Sequence, residues 1–111
     1  MYNETLVNRI RETLIGEKNV VEKKMFQGLS FMVDDKLCIG VRDNEILCRI
    51  DPEKAELELE KNYCRPMMHG GKMMKGYIFI SEEGYQHNSD FHYYVNLCLE
   101  YNKVVQKTKK K

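Results

Sequence analysis

The sequence predicts an α+β domain: an antiparallel sheet, built as a meander plus a hairpin, with an N-terminal helix, a short middle helix and a C-terminal helix packed on it. Three observations predict it. Apolar residues recur at three- and four-residue intervals near both ends of the chain, as Leu6, Val7, Ile10 and Leu14 and as Phe91, Tyr94, Val95, Cys98, Tyr101 and Val105, which is the helical period. Between them the period falls to two, from Leu29 to Val33, Leu37 to Val41 and Ile46 to Ile50. The connections there are short and polar, Asp34-Asp35-Lys36 and Arg42-Asp43-Asn44-Glu45, and such connections join only antiparallel neighbours.

Taken in order, Asn3 caps the first helix, Glu4 suits its positive end, and Gly16 stops it. Val20 to Phe26 is a weaker strand, interrupted by Glu22, Lys23 and Lys24. Alternation sets the register of the next three strands. With Leu37, Ile39 and Val41 facing the core, their partners are Ile50, Cys48 and Ile46 on one side and Val33, Phe31 and Leu29 on the other. Cys38 then points to the opposite face beside Arg49, Cys48 points inward, and the two thiols cannot bond. Asp51-Pro52-Glu53 is a helix start, with a cap, a proline at the first position and an acid in the first turn. Ala55 and Leu59 share a face of that helix, Glu53, Glu56, Glu58 and Glu60 make its outside acidic, and it ends near Asn62, across the edge or end of the sheet. From Arg65 to Ile80 the chain reads as a hairpin turning at Gly70-Gly71, with Tyr77 to Ile80 a core strand. Ser81 to Asn88 reads as a loop and Ser89 as the cap of the last helix, with Leu97 and Leu99 widening its stripe.

Composition sets the class. The 111 residues are 42% hydrophobic and 32% charged, which describes one globular domain, residues 1–105, followed by a basic disordered tail, 106–111. No apolar run nears the roughly 20 residues that cross a bilayer, and no signal-peptide core opens the chain, so a cytoplasmic protein without membrane contact is expected. The net charge of +1 conceals a division. Lys103, Lys107, Lys109, Lys110 and Lys111 crowd the end, leaving 13 Lys+Arg against 17 acids, or −4, in the remainder. An acidic body is not the footprint of a dedicated duplex-DNA binder.

Chemistry is sparse. Cys38, Cys48, Cys64 and Cys98 lack the close spacing of zinc ligands, and without a secretory signal they read as buried free thiols. His69, His87 and His92 belong to no triad or metalloprotease pattern. A thiol–imidazole pair of Cys64 and His69 is the one catalytic arrangement to weigh, and no third group marks it. His69-Gly70-Gly71-Lys72 precedes a strand, so it lacks the helix N-terminus of a phosphate loop. No catalytic residue, cofactor site or metal site is assigned, and a non-enzyme is expected.

The methionines are the unusual surface. Met67-Met68 and Met73-Met74 flank the Gly-Gly turn, so each pair puts one side chain on each face. One member of each fills core; the other is a soft, adaptable contact. The candidate interaction surface is therefore Met68 and Met73 with Tyr77, rimmed by Arg49, Arg65 and Lys75. It suits a protein partner or, across an open sheet edge, a second copy. The alternative is a weak nucleic-acid contact through the lysine tail with Arg49, Arg65 and Lys75.

Three blocks in order carry a family resemblance: Lys24-Met25-Phe26-Gln27-Gly28-Leu29-Ser30-Phe31-Met32-Val33; Leu47 to Pro52, where a strand ends in Arg-Ile-Asp-Pro; and Arg65-Pro66-Met67 followed by Met74-Lys75-Gly76-Tyr77. Together they resemble the N-terminal domain of the Sxy/TfoX competence-regulator family, from about Asn3 to about Val105. Gln27 stands where family members often have glycine. The resemblance implies helices on an antiparallel sheet and a link to bacterial gene regulation, with transcription machinery as the partner class. Fuller-length relatives carry a second, C-terminal domain that this chain is expected to lack, and the family supplies no catalytic residues.

Overall fold

A computed structural model describes residues 2–105; the expected tail, 106–111, lies outside them. The elements run α1 (Glu4–Thr13), β1 (Val20–Met25), β2 (Gly28–Val33), β3 (Lys36–Arg42), β4 (Glu45–Arg49), α2 (Pro52–Glu58), β5 (Cys64–His69), β6 (Lys72–Ile80), α3 (Glu82–Tyr85) and α4 (Asn88–Val104). The strands form one antiparallel sheet in the order β1-β2-β3-β4-β6-β5. This is the expected meander, with the hairpin added against its last strand.

The caps act as the sequence requires. Asn3 accepts from the Leu6 N–H at 3.1 Å, and Asp51 accepts from the Glu53 N–H at 2.8 Å, each satisfying a first-turn donor that has no helical acceptor. Leu6, Val7, Ile10 and Leu14 bury their side chains against one face of the sheet together with Phe91, Tyr94, Val95 and Cys98. The helix layer and that face share Phe31, Ile39, Val41, Ile46, Cys48, Ile78 and Ile80 as the main core.

Register holds for Leu29↔Val41, Phe31↔Ile39, Ile39↔Cys48 and Val41↔Ile46. It fails at Val33, which pairs with Lys36 rather than Leu37, because the ladder slips between Phe31 and Met32. Cys38 is the extra residue, and a bulge turns two successive side chains toward one side. Cys38 therefore joins Ile39 in the helix-facing core, not the far face. Leu37 turns the other way, into a hollow with Met32, Arg49 and Tyr77. All four cysteines are free and buried, so the unbonded state of Cys38 and Cys48 holds for a different reason. The same slip shortens the β2–β3 connection to Asp34-Asp35 and places Lys36 on the helix side. There its ammonium donates to the carbonyls of Asn102 at 2.6 Å and Val105 at 3.3 Å, closing the C-terminal end of α4.

Three hairpins turn through two residues with positive φ at both: Phe26-Gln27 (54° and 64°), Asp34-Asp35 (52° and 64°) and Gly70-Gly71 (60° and 79°). This is the mirror-image turn that matches strand twist. The left-handed backbone at Gln27 is one that glycine adopts without strain; here glutamine adopts it. Two further expectations are corrected. The segment after β6 contains α3, whose four residues are too few to show a period. The last helix starts at Asn88 with His87 as its N-cap, which makes no side-chain capping bond, rather than at Ser89.

Candidate interaction surface

The hairpin of β5 and β6 is built on the motif residues. In the middle of β6, Gly76 has φ 85°, and a Cβ there would stand 2.8 Å from the Ile50 carbonyl oxygen. The Gly76 carbonyl accepts from the Ile50 N–H at 2.8 Å. Only glycine meets both demands. Gly28 is equally constrained, since a Cβ would lie 2.0 Å from the Val41 carbonyl oxygen. Pro66 sits on the edge strand β5, where its missing N–H interrupts no central ladder.

Between Pro66 and Met68 the register shifts, and Met74-Lys75-Gly76 bow out of the ladder. Met67, buried, and Met74, half-buried, consequently face the side of the sheet away from the helices, where they pack with Leu47, Phe79, Phe26 and Tyr77. Met68 and Met73 are direct cross-strand partners; they point to the opposite side and are 56% and 49% exposed. Met73 lines a shallow apolar hollow with Pro52, Ala55 and Leu59 of the α2 region. The division of each pair into one inner and one outer methionine is as expected.

The six surface residues are split between faces. Met68 and Met73 lie on the α2 side, and Lys75 borders the same hollow. Arg49, Arg65 and Tyr77 lie on the open face. Tyr77 pairs with Arg49 across the strands, and the guanidinium sits 5.4 Å from its ring and 5.9 Å from that of Tyr101. Arg65 forms a two-point ion pair with Glu45, its Nε donating at 3.0 Å. It also covers Phe79 at 4.6 Å, while Arg42 covers the same ring at 4.2 Å. Phe79 is thereby only 1% exposed, so it offers no platform for stacking a base. Of the remaining motif residues, Lys24 is exposed on β1 and Met25 is half-buried. Phe26, at the first turn, folds over the open face and meets His69 of the hairpin tip edge-on, with centroids 5.9 Å apart.

Cys64 and His69 do not meet. They occupy the two ends of β5, about 16 Å apart at roughly 3.3 Å per residue, and on opposite faces. Cys64 instead approaches the Tyr94 hydroxyl at 3.7 Å, and burial pushes its thiol up. Tyr94 donates to Glu58 at 2.7 Å. Tyr93 and Lys61 complete the carboxylate's shell at 2.6 and 2.8 Å. Glu58 is 6% exposed, which corrects the expectation that it belongs to the solvated acidic face. Burial pushes its carboxyl up, but the bonds from Lys61, Tyr93 and Tyr94 outweigh this and hold it below the ordinary carboxylate value. No periodicity could mark this network, because an acid among acids on a short helix carries no signal. Its position beside the apolar Ala55 face was the available hint.

Among the described residues no His, Cys, Asp and Glu group is arranged to hold a metal, and no helix is long and apolar enough to cross a membrane. No curated protein and no solved structure matches the chain. The family model for the TfoX N-terminal domain matches residues 12–101, a span that includes the constrained glycines Gly28 and Gly76, the Arg65–Met67 part of the edge strand and most of α4. The chain therefore belongs to the TfoX N-terminal domain family.

Proposed function

We propose that this chain is a non-enzymatic regulatory domain that works by protein contact through the methionine side of its hairpin. The family is a regulatory one linked to competence. The observation that carries the reading is the Met68–Met73 pair: two flexible, polarizable side chains, directly opposed and about half exposed, beside an apolar hollow. Such residues adapt to a partner's surface at little conformational strain. The reading includes a bacterial cytoplasmic setting and a partner from the transcription machinery, in keeping with a regulatory family. A second copy of the chain is the other protein partner to distinguish.

Capture from native cell extract on the immobilised protein, with and without nuclease, tests this. A protein retained after nuclease by the native chain, and lost in Met68→Lys with Met73→Lys, supports the reading. The double variant should melt within about 0.5 kcal/mol of the native protein, as exposed substitutions do. Capture unchanged by the lysines rejects this surface. Sedimentation of the purified chain separates self-association from a different partner.

A further inference from the structure

The open face holds a second feature that the methionine contact leaves unused. Between the first turn and β6 lies a hollow of about 250 Å³, just below the roughly 300 Å³ at which pockets for drug-sized ligands begin. Its apolar wall is Met25, Phe26, Met32, Leu37 and Tyr77, and its cation is Arg49. The bulge at Cys38 creates it, since only that slip turns Leu37 outward onto this face.

Arg49 is half-buried and held by Tyr77 and Tyr101, 5.4 and 5.9 Å from its guanidinium carbon. Arg11 and Arg65 spend their charge on Glu22 and Glu45. Arg49 has no carboxylate within ion-pair distance among the described residues. The neighbouring Lys36 ammonium is occupied by the last carbonyls of α4. A guanidinium set against aromatic rings can still donate through its planar N–H fork, which matches a carboxylate. A single available cation is little for a phosphate dianion, and an apolar wall of five side chains suits a hydrocarbon or aromatic body.

We propose that this hollow binds a small amphiphilic carboxylate, its apolar part on Met32, Leu37 and Phe26 and its carboxylate on Arg49. The ligand is a free small molecule rather than a protein segment, because about 250 Å³ matches a short hydrocarbon chain or a single ring. A domain of this kind reads a metabolite on one face and contacts protein on the other.

Octanoate, below the concentration at which it forms micelles, is the probe, with octan-1-ol as its uncharged counterpart. Calorimetry and amide-shift mapping should show saturable octanoate binding with shifts centred on Met32, Leu37 and Tyr77. Octan-1-ol should bind at least about tenfold more weakly, and Arg49→Met should lose about tenfold or more in octanoate affinity. Equal binding of acid and alcohol, shifts centred elsewhere, or no saturable octanoate binding overturns the proposal, as does unchanged affinity in a folded Arg49→Met. Should that variant fail to fold, the acid–alcohol comparison on the native chain decides alone. Partner capture through Met68 and Met73 is unaffected by any of these outcomes.

Discussion

The Tyr94 hydroxyl donates to the Glu58 carboxylate at 2.7 Å across the gap between α4 and α2, joining residues 36 positions apart in the chain. Tyr93 donates to the other carboxylate oxygen at 2.6 Å, so two adjacent tyrosines grip both oxygens of one acid. Lys61, three residues on, supplies the compensating charge. A buried carboxylate left without these donors would carry the full cost of desolvation. The network thus fixes where the end of α2 sits against α4, and through α2 it fixes the wall of the hollow beside Met73.

Tyr94→Phe should therefore destabilise the fold by about 2 kcal/mol, the usual cost of removing a hydrogen bond to a charged group, read as a lower denaturation midpoint with an unchanged slope. The pH dependence has a definite sign. Glu58 in the folded protein lies below its ordinary 4.5, so the unfolded chain binds the proton first. The stabilisation is present above pH 4.5 and is lost as pH falls from there through the lower folded value. In Glu58→Gln that part of the acid-induced loss should vanish. A variant whose acid profile parallels that of the native protein would show that Glu58 does not contribute.

The glycines make a graded prediction. At Gly28 a methyl group would overlap the Val41 carbonyl, with no strained dihedral involved; at Gly76 it would meet both a crowded Ile50 carbonyl and φ 85°. At Gly70 φ is 60° with nothing within 4 Å. Gly70→Ala should cost about 1 kcal/mol, the left-handed penalty alone. Gly28→Ala and Gly76→Ala should each cost about 2 kcal/mol or more, because backbone cannot retreat as a side-chain tip can. Comparable losses at all three, measured by thermal melting, would mean that the close approaches relax freely.

Much of this was legible because local rules agree. Asn3 and Asp51 cap where side-chain oxygens meet first-turn donors, and Ile39, Val41, Ile46 and Cys48 pair as their alternation demands. The misreadings have physical causes too. Leu37-Cys38-Ile39 offers three consecutive apolar residues, so a period of two cannot say which one is extra, and the bulge passes unseen. Its consequence is large: Leu37 changes face and the hollow beside Arg49 exists. Tyr77 could not be assigned apart from Met73 for the same reason, since Met74-Lys75-Gly76 resets the alternation between them. The motif residues Gly28, Arg65, Pro66, Met67 and Gly76 sit where strands approach or bend, which explains how they mark a family through its fold.

The cysteines give the last test, and it bears on catalysis. Burial pushes the thiols of Cys38, Cys64 and Cys98 up from their ordinary value. Each then carries less thiolate at neutral pH than a free cysteine does, and the thiolate is the reactive form. The Tyr94 hydroxyl beside Cys64 opposes the shift but does not reverse it. Cys48 is equally enclosed, at 0% exposure. At pH 7.5 the native protein should react with iodoacetamide far more slowly than glutathione does, with all four thiols labelled only when denaturant opens the fold. Selective, rapid labelling of Cys64 in the native state would contradict this and point to a nucleophile at the Glu58–Tyr94 network. His69, on the far end and other face of β5, would still have no part in it.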